Sequence, residues 1–284
     1  MVSLERLLLC SFPSNSYHLH MPAGNPSAPF YRELEAALAR RGLKVADICA
    51  DDDEVARRVL HDYGAMFIGN ADIMPPPACV FTSEAEVSRF QAAAGIASAQ
   101  IGAATIELQP AAMAALLAAR LAAQVEKLDI TPRDGAEACR RSFGDTVRLW
   151  NSRFLPGLDH WTRAGRLRPG EADRLKALPV NQQVAEVLAL ETQGLFFSKD
   201  LSKSILYSIA APGTSQHIAM LAFDANEFPD PRVREILADH GWFQTVLSDL
   251  PHFTFLGCAE TELPSRGLKP VEVDGQKFWI PDVS

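Results

Sequence analysis

Pro212-Gly213-Thr214-Ser215-Gln216-His217 is followed at short range by Asp224 and then by Asp249-Leu250-Pro251-His252-Phe253, and these spacings constrain the architecture around them. His217, Asp224 and His252 offer two imidazoles and one carboxylate to a divalent metal. Two His plus one Asp or Glu, with the fourth tetrahedral position left to water, is the pattern of catalytic rather than structural zinc sites. Asp249, three residues before His252, is a second carboxylate suited to take a proton from water. A straight strand from His217 to Asp224 would span about 23 Å and point the two side chains to opposite faces. Both reach one ion only if the chain turns between them. Pro212-Gly213 marks a turn, Leu221-Ala222-Phe223 reads as a short buried strand ending at Asp224, and His252 begins a second apolar run after the break at Pro251. The plain alternative is that the three residues are unrelated members of loops.

The wording around them resembles the zinc D-alanyl-D-alanine carboxypeptidases and dipeptidases of the vancomycin-resistance type. That family shows S-x-H-x-x-G-x-A-x-D and, some tens of residues later, E-x-x-H-F. Here Ser215, His217, Ala222 and Asp224 stand in register, and His252-Phe253 is followed by Phe255-Leu256-Gly257. Gly241-Trp242-Phe243 resembles the segment before the second histidine. The resemblance covers roughly residues 100–284. It implies a zinc peptidase that cuts a peptide bond near a free C-terminus, D-Ala-D-Ala or a related peptidoglycan stem peptide. It also implies His217, Asp224 and His252 as zinc ligands, Asp249 as general base and Ser215 as a contact to the peptide backbone. Arg133, which follows a long helical run, resembles the arginine that holds the substrate's terminal carboxylate; a guanidinium fork bonds both oxygens of such a group. Arg140 and Arg141 compete for that role.

Two departures matter. Met220 stands where the family has Gly, at the bend between the first two ligands, so the backbone there must differ or strain. Asp249 stands where the family has Glu, one methylene longer. An active enzyme with an Asp base and an inert zinc-stabilised module that binds peptide or cell wall both follow from that exchange. Glu227, three residues beyond Asp224, is the nearest rival base.

The chain's 284 residues allow one large or two modest domains with a sizeable core. Its net charge of −8 disfavours nucleic acid as a partner, since phosphate binding needs a basic face. No apolar run approaches the roughly 18 residues that span a bilayer. The run 7–12 is too short for a signal peptide and reads as a buried first strand. The five cysteines are odd in number, scattered and without a C-x-x-C pair, so neither a disulfide framework nor a cysteine zinc site is expected. Such usage reads as reduced and cytosolic, whereas a wall substrate lies outside the membrane.

The expected architecture is α+β: a small antiparallel sheet carrying the zinc site with packed helices, over residues 98–284, preceded by a small α/β unit over 1–97. Within the latter the patterns predict helices over 29–41, from Asp52 or Asp53 to 63, and 83–93, with strands over 44–50 and 65–68. Ser83 with Glu86 forms a capping-box signature. Farther on, 110–128 is an Ala/Leu-rich helix opened by Pro110. Residues 138–195 are a helical insertion broken at Leu155-Pro156-Gly157. Another helix covers 231–239, and 271–280 reads as a hairpin with an Asp-Gly turn. His18-x-His20 would face one way on a strand, as in metal-dependent amidohydrolases, but a solvent loop is the preferred reading, since only seven His exist and no eightfold βα alternation appears. The stretch at 213–217 lacks the final Gly of a serine-hydrolase elbow, and there is no H-E-x-x-H helix or Gly-rich nucleotide loop.

Overall fold

Pro29 opens the first helix, α1 (Pro29–Ala39), at a position where its missing N–H costs nothing. The computed structural model describes residue 25, residues 27–50 and residues 53–284. The run 7–12, Cys10, the His18 and His20 pair and Asp52 lie outside the described residues.

After α1 the chain turns at Gly42 (φ 72°). The segment expected as a strand over 44–50 is instead one helical turn, α2 (Val45–Ile48), because the Asp47 carboxylate takes the Lys44 N–H at 2.7 Å. Asp53 caps α3 (Glu54–Tyr63) through the Ala56 N–H at 2.9 Å. The apolar run expected as a strand over 65–68 is a 3₁₀ helix, Gly64–Ile68, which continues α3 and is buried throughout. No strand therefore occurs among the described residues between 27 and 94. Ser83 caps α4 (Glu84–Ala94), while Glu86 reaches one residue further back than a capping box requires, to the Thr82 N–H at 2.7 Å.

A hairpin unforeseen in the sequence follows, β1 (Ala97–Ile101) and β2 (Ala104–Leu108), turning at Gly102. It leads into α5 (Pro110–Val125). The insertion holds α6 (Phe143–Arg163), α7 (Glu171–Ala177) and α8 (Val180–Glu191). Contrary to expectation α6 runs unbroken through Pro156. Gly157 beside it is needed for packing, since a Cβ there would lie 2.3 Å from the Phe197 ring. Trp150, Phe154, Leu158, Val187 and Phe197 form a core of their own, and the chain leaves it along residues 204–210.

The central sheet has the order β3 (Ala222–Asp224), β5 (His252–Phe255), β4 (Trp242–Phe243), all antiparallel, with α9 (Pro231–Asp239) between β3 and β4 in the chain. Phe223 and Phe253, direct cross-strand partners, point into the main core beside Trp242 and Leu237. That core also takes residues from α1, α3, α4 and α5, so it draws on both sides of residue 97. A terminal hairpin, β6 (Leu268–Val273) and β7 (Gln276–Pro281), turns on Asp274-Gly275 as expected, both with positive φ. The fold is α+β, with small antiparallel sheets among packed helices. No described helix is long and apolar enough to cross a membrane.

Glu191, at the end of α8, is buried, with one oxygen taking the Ile205 N–H at 2.6 Å and the other without a partner. Burial outweighs the bonds from Ser204, Ile205 and Phe197 and raises its carboxyl to about 7. An unfolded Glu releases its proton near pH 4.3. Between there and about pH 7 the folded state holds more protons than the unfolded one, so stability falls as pH rises through that window and levels off above it. Glu191→Gln is expected to remove the slope, being about 2–3 kcal/mol more stabilising at pH 8 than at pH 5. Urea melts of parent and variant at the two pH values measure it; a difference independent of pH sinks the idea.

Candidate metal centre

Tight turns deliver the first histidine. Gly213 has φ 79° and sits so close to the neighbouring chain that a Cβ would lie 2.0 Å from the Phe81 carbonyl oxygen, so only Gly fits. Overlapping bonds from Ile218, Ala219 and Met220 N–H to Ser215, Gln216 and His217 carbonyls (3.0–3.1 Å) then curl the chain between His217 and β3. Met220 ends that curl with φ 55°, a left-handed conformation costing a non-glycine residue about 1–2 kcal/mol. The bend that Gly would ease is thus made by a strained, fully buried Met. Buried glutamine amides fasten the curl from outside. Gln91 donates to the Arg141 and Ile218 carbonyls, Gln109 to those of Met74 and Ala219, and Gln216 to that of Tyr63, all at 2.7–3.1 Å.

The other two ligands come from the sheet. Asp224, last in β3, pairs directly with His252, first in β5. His217, Asp224 and His252 are buried, with one ligand atom of each within 4.8 Å of the others, and as a group can hold a metal ion. His217 Nε2 is 3.3 Å and His252 Nδ1 is 3.1 Å from the same Asp224 oxygen, Oδ1.

The outward nitrogens decide what the inward ones carry. His252 Nε2 lies 2.8 Å from Gln216 Oε1. The Gln216 amide faces the Tyr63 carbonyl with its nitrogen, so its oxygen faces His252 and also takes the Thr254 hydroxyl. His252 must donate from Nε2, which leaves a lone pair on Nδ1. His217 Nδ1 faces the Cys139 carbonyl at 3.3 Å and likewise donates, leaving its lone pair on Nε2. Two imidazole lone pairs therefore converge on a carboxylate oxygen. This donor set repels itself unless a cation lies between, and outer bonds of this kind fix the tautomer of metal-ligating histidines.

The charges agree. Burial and the nearby Arg141 guanidinium push His217 down to about 4, so it is neutral near pH 7. Burial opposes ionisation of Asp224, yet its carboxyl is held well below its usual range by the two imidazoles, a pull that requires an N–H turned toward Asp224, the proton-sharing alternative to a bound cation. Arg141 Nη2 bonds the other Asp224 oxygen at 3.1 Å and leaves Oδ1 to the histidines.

A cavity of about 130 Å³ opens on the cluster. Asp249, Ser215 and Arg141 line it with the two histidines, and Leu206–Ala210, on the segment that follows the insertion, form part of its wall. The Asp249 carbonyl takes the His252 N–H at 3.1 Å, a turn that brings the carboxylate three residues upstream into the same cavity. Asp249 is open to solvent at the mouth. The protein around it still desolvates the carboxyl and raises its pKa, with a lowering pull from His252 and a further raise from Asp224. Solvent reaches the group, so its exposed surface, rather than the mass of protein around it, governs proton exchange. Ser215 accepts the His217 N–H at 3.3 Å, which leaves its O–H to donate.

Arg133 stands outside this cavity. Its N–H bonds the Asp224 carbonyl at 2.8 Å, while its half-exposed guanidinium lies over the Phe228 ring and 3.9 Å from Asp134. Arg140 is taken up by Gln91 and Glu107. Glu227 binds the Thr131 N–H and hydroxyl at 2.8 and 2.6 Å, which commits it to fastening that segment beside β3. Sequence reasoning missed Gln216 and the Cys139 carbonyl, the two acceptors that set the tautomers. Gln216, directly adjacent to His217, was the available signal.

Comparison with family models, with curated proteins and with solved structures finds no match to this chain.

Proposed function

We propose that the chain is a zinc-dependent peptidase that cleaves a peptide bond near a free C-terminus, in D-Ala-D-Ala or a related peptidoglycan stem peptide. One observation carries the reading: three lone-pair donors converge in a buried cluster whose outer nitrogens are both spent as hydrogen-bond donors. The His₂Asp set suits zinc and leaves a position open. Bound there, zinc would supply Lewis acidity toward a carbonyl oxygen and toward water.

The chain's own residues account for the rest. Water adds to the peptide carbonyl carbon, Asp249 takes its proton at the carboxylate, and the C–N bond breaks as that proton passes to the leaving amine. The free Ser215 O–H faces the cavity and donates to the peptide backbone. Arg141 is spent on Asp224, so the terminal carboxylate falls to Arg133, whose guanidinium makes no bond to the cluster.

Free-acid and C-amidated forms of one short D-Ala-terminated peptide test this. The amide is expected to be cut at least about tenfold more slowly, for loss of one charge-assisted bond; equal cleavage refutes carboxylate recognition. A second reading, an inert zinc-stabilised module that binds peptide or cell wall, is favoured by the short Asp249 side chain. Full zinc without turnover on any wall peptide selects it.

A further inference from the structure

Tyr63 ends α3, in the part of the chain that shows no catalytic motif and lies outside the resemblance. Its carbonyl takes the Gln216 amide N–H at 2.9 Å, from the same amide whose oxygen faces His252. That bond seats Tyr63 against the metal centre. The residue is 7% exposed and lines the cavity with Arg141, His217, Asp249 and His252. Its hydroxyl has no hydrogen-bond partner among the described residues, yet it is not one of the side-chain atoms sealed from water. Buried phenols ordinarily find a partner, and the open space that Tyr63 borders is this cavity. Burial and the charges of Asp62 and Asp249 raise its pKa. It is therefore a neutral phenol, able to donate, throughout the working pH range.

We propose that Tyr63 is a ligand-contacting residue whose O–H donates to an oxygen of the small molecule held at the His217, Asp224 and His252 centre. The inference rests on the metal reading above but not on peptide turnover. It adds a contact from the N-terminal helices to a cavity otherwise built from residues 141–252. The ligand it selects carries an acceptor, a carbonyl, carboxylate or hydroxamate oxygen, beside the atom that meets the metal.

Acetohydroxamate, a small oxygen-ligating zinc binder, is the probe. Zinc-loaded parent, Tyr63→Phe and Tyr31→Phe are titrated calorimetrically after metal analysis. Tyr63→Phe is expected to keep one zinc and bind the probe about tenfold more weakly, the worth of one hydrogen bond. Tyr31→Phe, whose hydroxyl meets His61 away from the cavity, is expected to bind like the parent. Binding by Tyr63→Phe within twofold of the parent overturns the proposal. A parent without zinc overturns both this and the metal reading, and metal analysis reveals that before any probe is added. Zinc and a normal tenfold loss without peptide turnover support this proposal and remove only the peptidase reading. Should Tyr63→Phe fail to fold, fluorotyrosine at position 63 in the folded parent replaces it. A ¹⁹F shift on probe binding supports the contact, and none overturns it.

Discussion

Asp249→Asn is expected to keep a full complement of zinc and to lose about 10²–10⁴-fold in turnover, the usual range for removing proton transfer. The amide has the size of the carboxylate but cannot accept the proton. The backbone should hold, because the bond that sets the turn runs from His252 N–H to the Asp249 carbonyl and does not involve the side chain. No other carboxylate is free for the work: Asp224 is bound by Arg141 and both histidines, and Glu227 by Thr131. Asp249→Glu, longer by one C–C bond of about 1.5 Å, is expected to raise turnover by restoring reach. Glu227→Gln serves as the contrast, costing stability through its Thr131 bonds while leaving the rate alone. Unchanged turnover in Asp249→Asn would show that the proton goes elsewhere.

Where the sequence was legible, local chemistry and tertiary packing agreed. Pro29, Asp53, Ser83 and Pro110 announce helices whose starts the structure keeps, and Asp274-Gly275 announces its hairpin. The strand ending at Asp224 was legible because a short apolar run follows a Pro-Gly turn. Where it misled, a brief apolar run carried too little periodicity to separate a buried strand from a buried helical turn. Gly64–Ile68 and Val45–Ile48 are both such cases, the second settled by one Asp47 side chain. β1, with Ala97 and Ala99 among its five residues, has weak strand propensity and hides the hairpin. Pro156 alone predicts a break, yet tertiary packing of Gly157 against Phe197 outweighs one lost helical bond. At the cluster the ligand types and spacing were legible, but the tautomers were not. They depend on a glutamine amide and a backbone carbonyl brought in from 36 and 78 residues away.

His252→Ala is expected to abolish stoichiometric zinc, read by elemental analysis after dialysis, because it removes one of three ligands. Gln216→Leu separates ligation from orientation. It leaves all three ligands but takes away the acceptor that holds the His252 proton on Nε2, and outer partners of this kind are worth about 10–100-fold in metal affinity. Stability gives an independent readout. A metal that binds only the folded state stabilises it by about 4 kcal/mol at a thousandfold excess over Kd. Chelator should therefore lower the melting temperature of the parent, lower that of Gln216→Leu less, and leave that of His252→Ala unmoved. Zinc retained by His252→Ala would remove the ligand assignment, since His217 and Asp224 alone cannot account for a tightly held ion. A parent whose melting ignores chelator would mean that Asp224 Oδ1 is satisfied by a proton shared with one histidine. The converging lone pairs would then be a hydrogen-bonded core cluster rather than a metal centre.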